Sequence, residues 1–458
     1  MVRSPLAPVV TPDPIAAPWL SKAAFLLQQN RPSEAIALLQ HSILIEPTQP
    51  WIWYGMAMLY GRLERWETVL SCIQKLIQLE PDALAIFNQP TGLALNPGDD
   101  SLPHLYAVSL YNQGVGLDKQ NQTEAAIASY RQALDILPQF PQATANLSNA
   151  LMRAEQLKEG LALQEVRWND PDKCAIYAHI LEKPTWDGSP IFGKTLYLFA
   201  EQGFGDSIQF ARFVAIAAQR CDQIRLQAQP ALVPLLQHLT DIPPYTPPAG
   251  QEGHFDYQAS FMSLPHILGT DTVEAIPNQV PYIAVPDGPA LPPPVKPHTE
   301  GKSPLKIGIC WSCNPDHETF HTRSAPLEQF AAIAQDPNVQ CYSVQKVVSE
   351  GDRQRLQELG IIDLGPNLET FATTAAYLNQ CDRVITVDTS IAHLAGAIAK
   401  PVWIAIPFYS DWRWFRDRTD SPWYPTARLF RQPTAGDWSS TFQDIHQALQ
   451  TQYPSQQP

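Results

Sequence analysis

Residues Arg383 to Ile406, RVITVDTSIAHLAGAIAKPVWIAI, constrain the fold more than any other stretch of the chain. The pattern predicts a buried strand over 383–387, a turn carrying Asp388, Thr389 and Ser390, a helix over 391–399 and a second strand after Pro401. Such a strand-turn-helix-strand is part of a parallel α/β layer, where ligands bind beyond the carboxyl ends of the strands. The turn is therefore where a ligand is expected. Two hydroxyls, the unpaired first-turn amides and the positive end of the helix dipole favour an anion there, phosphate above all. The same residue types also cap helices that bind nothing. His393, one turn in, either faces that ligand or is a structural histidine.

With 458 residues, 45% of them apolar, the chain has material for two or three domains. A net charge of −14 disfavours nucleic acid and anionic membrane as general partners. The first residues hold no apolar core of a secretion signal, and no apolar run reaches the roughly eighteen residues of a membrane span. A cytoplasmic protein is expected. Seven scattered cysteines argue against a disulfide framework, and Cys310 and Cys313 form a C-x-x-C without the second pair that zinc would need. His317 and His321 lie four apart with no third ligand evident, so no metal is expected.

Spacing, more than local propensity, organises the first third. Pro47 and Pro81 are 34 residues apart, and each closes a helical segment whose small or apolar residue, Ala35 or Val69, lies twelve positions earlier. Pro138 closes a third unit, with Ala126 and Ala133 in the matching places. This is the tetratricopeptide period, two antiparallel helices per repeat. Trp53, Ala57 and Tyr60, and Gly114 in the third unit, fit its large and small positions. The step from Pro81 to Pro138 is 57, which implies an insertion near 84–106, and a weaker fourth unit runs to about 168. The expected organisation is a disordered 1–15, a helical solenoid over 16–168, an α/β domain over 190–284, a linker over 285–304 and a second α/β domain over 305–458. The solenoid offers a groove for a peptide or partner, or simply buttresses the neighbouring α/β domain.

The middle region opens with a strand, a glycine loop and a helix from Ser207 to Ala218. In the loop, Glu201 to Asp206 (EQGFGD), Gly203 and Gly205 permit a tight turn, and Asp206 takes a first-turn or capping place. A dinucleotide fingerprint would need a third glycine where Ile208 stands and an acidic residue ending the next strand. Arg212 either pairs with a carboxylate or decorates the surface. Seven prolines between Val285 and Pro304 favour extended chain, a linker that would permit a cleft to close.

These motifs resemble a known group. D-T-S-x-x-H-x-A-G-A-x-x-K-P-V from Asp388, E-Q-G-F-G-D-S-I-Q-F-A-R from Glu201, W-x-x-N-P before R-S-x-P from Trp311, and D-W-R-W from Asp411 are similar to the lipopolysaccharide heptosyltransferases and to glycosyltransferases linked to tetratricopeptide repeats, akin to O-GlcNAc transferases. The resemblance implies a GT-B pair of Rossmann-like domains after the solenoid and an inverting, metal-independent glycosyltransferase. Its co-substrate would be a nucleotide-diphosphate sugar, with no other cofactor. It implies Asp206 as general base, Gly203, Gly205 and Asn314 on loops at the cleft, and Arg323, Gln345, Lys346, Asp388, Thr389, Ser390 and His393 around the donor diphosphate. A strand-end Lys346 that is merely solvated fits as well. The last helix, from Asp437, would cross back to the first α/β domain, as is common in that fold. A protein acceptor presented by the repeats, a glycan or lipid-linked acceptor, and a repeat-based interaction protein with an inactive transferase domain all remain open.

Overall fold

The computed structural model describes residues 12–88, 101–241, 243–296 and 303–453. The expected disordered start, Pro90 and Pro97 of the insertion, and the end of the linker fall outside the described residues. The chain divides into two compact units, Met1–Leu151 and Met152–Pro458.

The first unit is helical. Helices Ala17–Gln28, Pro32–Ile45, Pro50–Arg62, Trp66–Leu79, Leu102–Lys119 and Thr123–Ile136 follow one another as antiparallel pairs. Ala35, Ala57, Val69, Ala126 and Ala133 are fully buried, as a close helix-helix contact requires. At Gly114 even a Cβ would come within 2.6 Å of the Tyr130 ring, so a larger residue would push the pair apart. The turn inside each pair carries one left-handed residue: Asn30 (φ 57°), Glu64 (φ 55°), Asn121 (φ 60°) and, after the helix Pro141–Arg153, Glu155 (φ 64°). Their spacing reproduces the steps of 34 and 57 read from the sequence and adds a further 34 from Asn121 to Glu155. The solenoid was expected to continue to about 168. Instead Met152, Leu157 and Leu161, around the helix Leu157–Gln164, bury their side chains in the α/β core of the second unit.

The second unit holds two parallel sheets. Strands β1 (Ile191–Phe199), β2 (Cys221–Gln227) and β3 (Tyr257–Ser260) form the first, in the order β2-β1-β3. Strands β4 (Leu305–Cys310), β5 (Val339–Ser343), β6 (Ile362–Asp363), β7 (Arg383–Val387), β8 (Val402–Ile406) and β9 (Ala427–Arg431) form the second, in the order β6-β5-β4-β7-β8-β9. Alternation along the strands sorts side chains to two faces. Val384, Val402, Ile404 and Leu429 join Leu196, Leu198 and Leu226 of the first sheet in one continuous core. Ile385, Trp403, Ala405 and Phe430 point the other way, under the final helix Trp438–Gln452 and its Phe442, Ile445 and Leu449. That helix therefore lies on its own sheet and does not cross back, because its buried stripe matches the apolar face of β7, β8 and β9.

Two further expectations change. The helix after the glycine loop is interrupted: Phe204–Phe210, a tight turn Ala211–Phe213, then Val214–Ala217. The proline-rich linker is a strap. Tyr282 and Ile283 donate their amides to the Ala397 carbonyl, Leu291 to the Gln380 side chain, and Val295 to that of Gln340. Over the described residues 282–296 this stretch is thus bonded at intervals to the elements of the second sheet.

Candidate functional site

Every residue singled out from the sequence follows the carboxyl end of a strand. Asp206 comes after β1, Asn314 and Arg323 after β4, Gln345 and Lys346 after β5, Asp388 to His393 after β7, and Asp411 and Arg413 after β8. The topology thus gathers them where parallel sheets present ligand-binding loops.

The centre is an alternating cluster of carboxylates and guanidiniums. Asp206 sits in the first turn of Phe204–Phe210 and accepts the Gly203 amide at 3.0 Å on one oxygen. Its other oxygen accepts from Arg413 Nη2, 207 positions along the chain and attached to the other sheet. Arg413 also donates to Asp411 at 2.9 Å and lies over the Trp412 ring, 4.6 Å from its centroid. Burial works against the charge on Arg413, but Asp411 and Asp206 outweigh it and hold the guanidinium firmly protonated. Burial likewise opposes ionisation of Asp411, and Arg413 overcomes it, so that carboxyl titrates below its ordinary value.

Asp388 is almost fully buried. Arg323 donates through Nε and Nη2 to the Asp388 carbonyl at 3.1 and 2.7 Å, and Nε is 3.1 Å from a carboxylate oxygen. Burial pushes the Asp388 carboxyl above the usual range, Arg323 only partly offsetting it, while Asp411 adds to the rise. Thr389 is the N-cap residue of the helix Ser390–Ala397 but makes no side-chain cap bond. Capping alone therefore does not account for its hydroxyl.

His393 is a core residue. Its exposure is 4%, Nδ1 is 2.9 Å from the Tyr424 hydroxyl, and its ring stacks on Trp414 with centroids 5.2 Å apart. Burial, assisted by the positive charge of Arg413, drives its pKa well below that of a free histidine, so the ring is neutral. Gly205 packs directly on it: a Cβ there would lie 2.9 Å from His393 Cδ2 and 3.7 Å from the Ser390 Cα. Only glycine lets the two loops meet this closely. Phe204 and Phe371 close the same side, centroids 4.9 Å apart.

Gly203, Gly205, Asp206, Arg323, Asp388, Ser390 and His393 thus come together. Gln345 has a different task, its side-chain oxygen accepting the Ser312 amide and the Cys310 thiol, both at 3.1 Å, which fixes the loop after β4. Lys346 is exposed, and Asn314 is an exposed turn residue accepting the Asp316 amide. Cys310 and Cys313 are free thiols, and burial pushes Cys310 up to about 12, far from a reactive thiolate. Among the described residues no cluster of His, Cys, Asp or Glu is placed to hold a metal, and no helix is long and apolar enough to cross a membrane.

Two residues escaped sequence reasoning, and a third was misplaced by it. Arg413 lay in the D-W-R-W motif, and its pairing with Asp206 had no signal beyond that motif itself. Glu201 is buried against Arg167, Lys173 and Ser260, and Ser263 bridges Arg167 to Glu165, so a charged network anchors the base of the glycine loop. Arg212 neither pairs with a carboxylate nor sits on the surface. It donates to the carbonyls of Gln209, Pro277 and Trp423 and to the Tyr282 hydroxyl, and lies 4.7 Å from the Tyr424 ring centroid.

The tetratricopeptide repeat profile matches residues 107–140. Those residues are a tetratricopeptide repeat. Protein FlbA of Caulobacter vibrioides is 24% identical over 474 residues, spanning 94% of this chain and 77% of its own length. Among solved structures, ADP-heptose lps heptosyltransferase II of E. coli is 16% identical with a TM-score of 0.37, covering 57% of this chain and all of that one (100%). The O-GlcNAc transferase of Thermobaculum terrenum is 13% identical with a TM-score of 0.24, covering 85% of this chain and 82% of its own.

Proposed function

We propose that the second unit is an inverting glycosyltransferase that uses a nucleotide-diphosphate sugar, with Asp206 as general base. The observation that carries the reading is the meeting of Asp206, from the first sheet, with Arg413, Asp388 and Arg323, from the second, at the carboxyl ends of both sheets. In the reaction the acceptor hydroxyl attacks the anomeric carbon and the bond to the diphosphate oxygen breaks with its electron pair. The hydroxyl proton passes to Asp206, whose carboxylate Arg413 orients. The leaving charge is met by Arg323, Lys346 and the amides at Thr389 and Ser390, which are fixed in place before the charge develops. The repeats would present a protein acceptor.

A second reading has its own support. Arg323 and Arg413 are already matched by Asp388, Asp411 and Asp206, so the cluster has no cationic surplus for a diphosphate. Two guanidiniums matched by three carboxylates suit a transferase-like domain whose task is structural, with the repeats carrying an interaction function. Calorimetric titration of UDP, GDP, ADP and CMP separates the two. Under the first reading one nucleotide binds and Thr389→Val weakens it; Asp206→Asn keeps that binding within about twofold while turnover falls by about 10²–10⁴. Binding of none of them supports the second reading. Undiminished turnover in Asp206→Asn removes that residue as the base.

A further inference from the structure

The second sheet has another arginine-rich region, on the face covered by the final helix. The register Ile385↔Trp403↔Arg428 puts Arg383, Trp403, Arg428 and Phe430 on that one face, since residues two apart share a side. There, between edge strand β9 and Trp438–Gln452, lies a cavity of about 800 Å3 lined by Arg383, Arg428 and Arg431. This is within the range of small-molecule sites. Arg383 begins β7 and Asp388 follows its other end, so this end of the cavity is a full strand length from the cluster described above.

The cations here are not matched. The Arg383 guanidinium lies over the Trp403 ring at 4.1 Å, with Arg428 over the same ring at 5.7 Å and over Phe430 at 4.6 Å. Arg383 is 5% exposed. Its Nη2 bonds only neutral acceptors, Gln452 at 2.9 Å and the Tyr453 hydroxyl at 3.4 Å, and among the described residues its Nε has no hydrogen-bond partner. Arg431 is tied to the Arg418 and Trp414 carbonyls and to Ser410 Oγ. With Arg431 spent on those acceptors, the cavity lining sets two further arginines, Arg383 and Arg428, against one acid, Asp444. Of the nearby acids, Asp420 pairs with Arg418, and Asp417 pairs with Arg416 and acts on Arg431. A buried donor without an acceptor is costly, and a guanidinium offers its fork to an oxyanion.

We infer that this groove is a second ligand site, taking a small phosphate dianion of the phosphomonoester class. Arg383 and Arg428 outnumber the one lining acid, Asp444, and two guanidiniums suit the several oxygens of a phosphate. Arg383 supplies the desolvated donor that fixes the phosphate, and exposed Arg428 closes over it from β9. The apolar wall around Phe430 and Ala448 receives the organic part.

Phenyl phosphate titrated into the full chain at pH 8 tests this. The expected result is one site with Kd near or below about 1 mM, weakened about tenfold or more in Arg428→Ala and retained in Thr389→Val. Arg428 is exposed, so its variant folds; Arg383→Met, checked by thermal melting, gives a second loss. Inorganic phosphate should bind at the same place, and acetate much more weakly. Three results overturn the inference: no binding by about 10 mM, binding that Thr389→Val removes and Arg428→Ala spares, or acetate binding as tightly as phosphate.

Discussion

Two groups of arginines on one sheet behave in opposite ways. After β4 and β8, Arg323 and Arg413 each face aspartates, and the result is a closed cluster, two guanidiniums against three carboxylates, joining two sheets. Below the final helix, Arg383 and Arg428 rest on Trp403 with no carboxylate partner of their own. The residue type is the same and the sheet is the same, so the companions decide the outcome. Arg413 and Arg383 both lie over a tryptophan ring, so the carboxylates make the difference: paired with aspartates, a buried arginine is a tie, and without them it keeps a donor for something else.

The largest effect that would break this contrast is at Arg413. Arg413→Met leaves Asp206 and the half-buried Asp411 without their shared cation, and should cost about 1.5–3 kcal/mol of stability in a denaturant titration. A loss below about 1 kcal/mol would mean the cluster is not a tie. A smaller effect concerns proton uptake. His393 is held neutral in the folded chain, whereas in the unfolded chain it protonates near pH 6.5. The unfolded state therefore binds more protons below that value, and stability is present above it and lost as pH falls toward the depressed folded value. The slope reaches about 1.4 kcal/mol per pH unit. Thermal melts from pH 7 to 5 on wild type and His393→Gln should show this slope shrinking in the variant; an identical slope would place the proton uptake elsewhere. The smallest effect sharpens the comparison from its other side. Arg383→Met removes no ion pair and keeps an apolar stem on Trp403, so stability should change by no more than about 1 kcal/mol. A loss as large as that at Arg413 would make the groove arginine structural too.

The repeat period was legible because close helix packing demands a small residue at fixed intervals, and Ala35, Val69 and Ala126 meet that demand. The strand at Arg383–Val387, the turn at Asp388 and the helix from Ser390 were legible for a similar reason: each rests on local pattern. The strap over 282–296 reads as a hinge in the sequence because prolines report extended chain and say nothing about what the intervening amides bond to. His393 reads as a ligand contact because the sequence shows its position in the helix and not its neighbours Trp414 and Tyr424.

By itself the sequence determined the local elements: the paired helices and their period, the strands at 383–387 and after Pro401, and the loops that bear chemistry at the strand ends. Only the tertiary structure decided the partners. It set Asp206 on Arg413, Arg212 on the carbonyls of Pro277 and Trp423, and Arg383 on Trp403 with an open donor. The physical reason is one of range. Local periodicity comes from backbone geometry and is written within a few residues, but charge pairing depends on distances across chain separations of up to two hundred positions. Backbone carbonyls, which hold Arg212 and Arg431, are the same in every residue and leave no mark in the sequence.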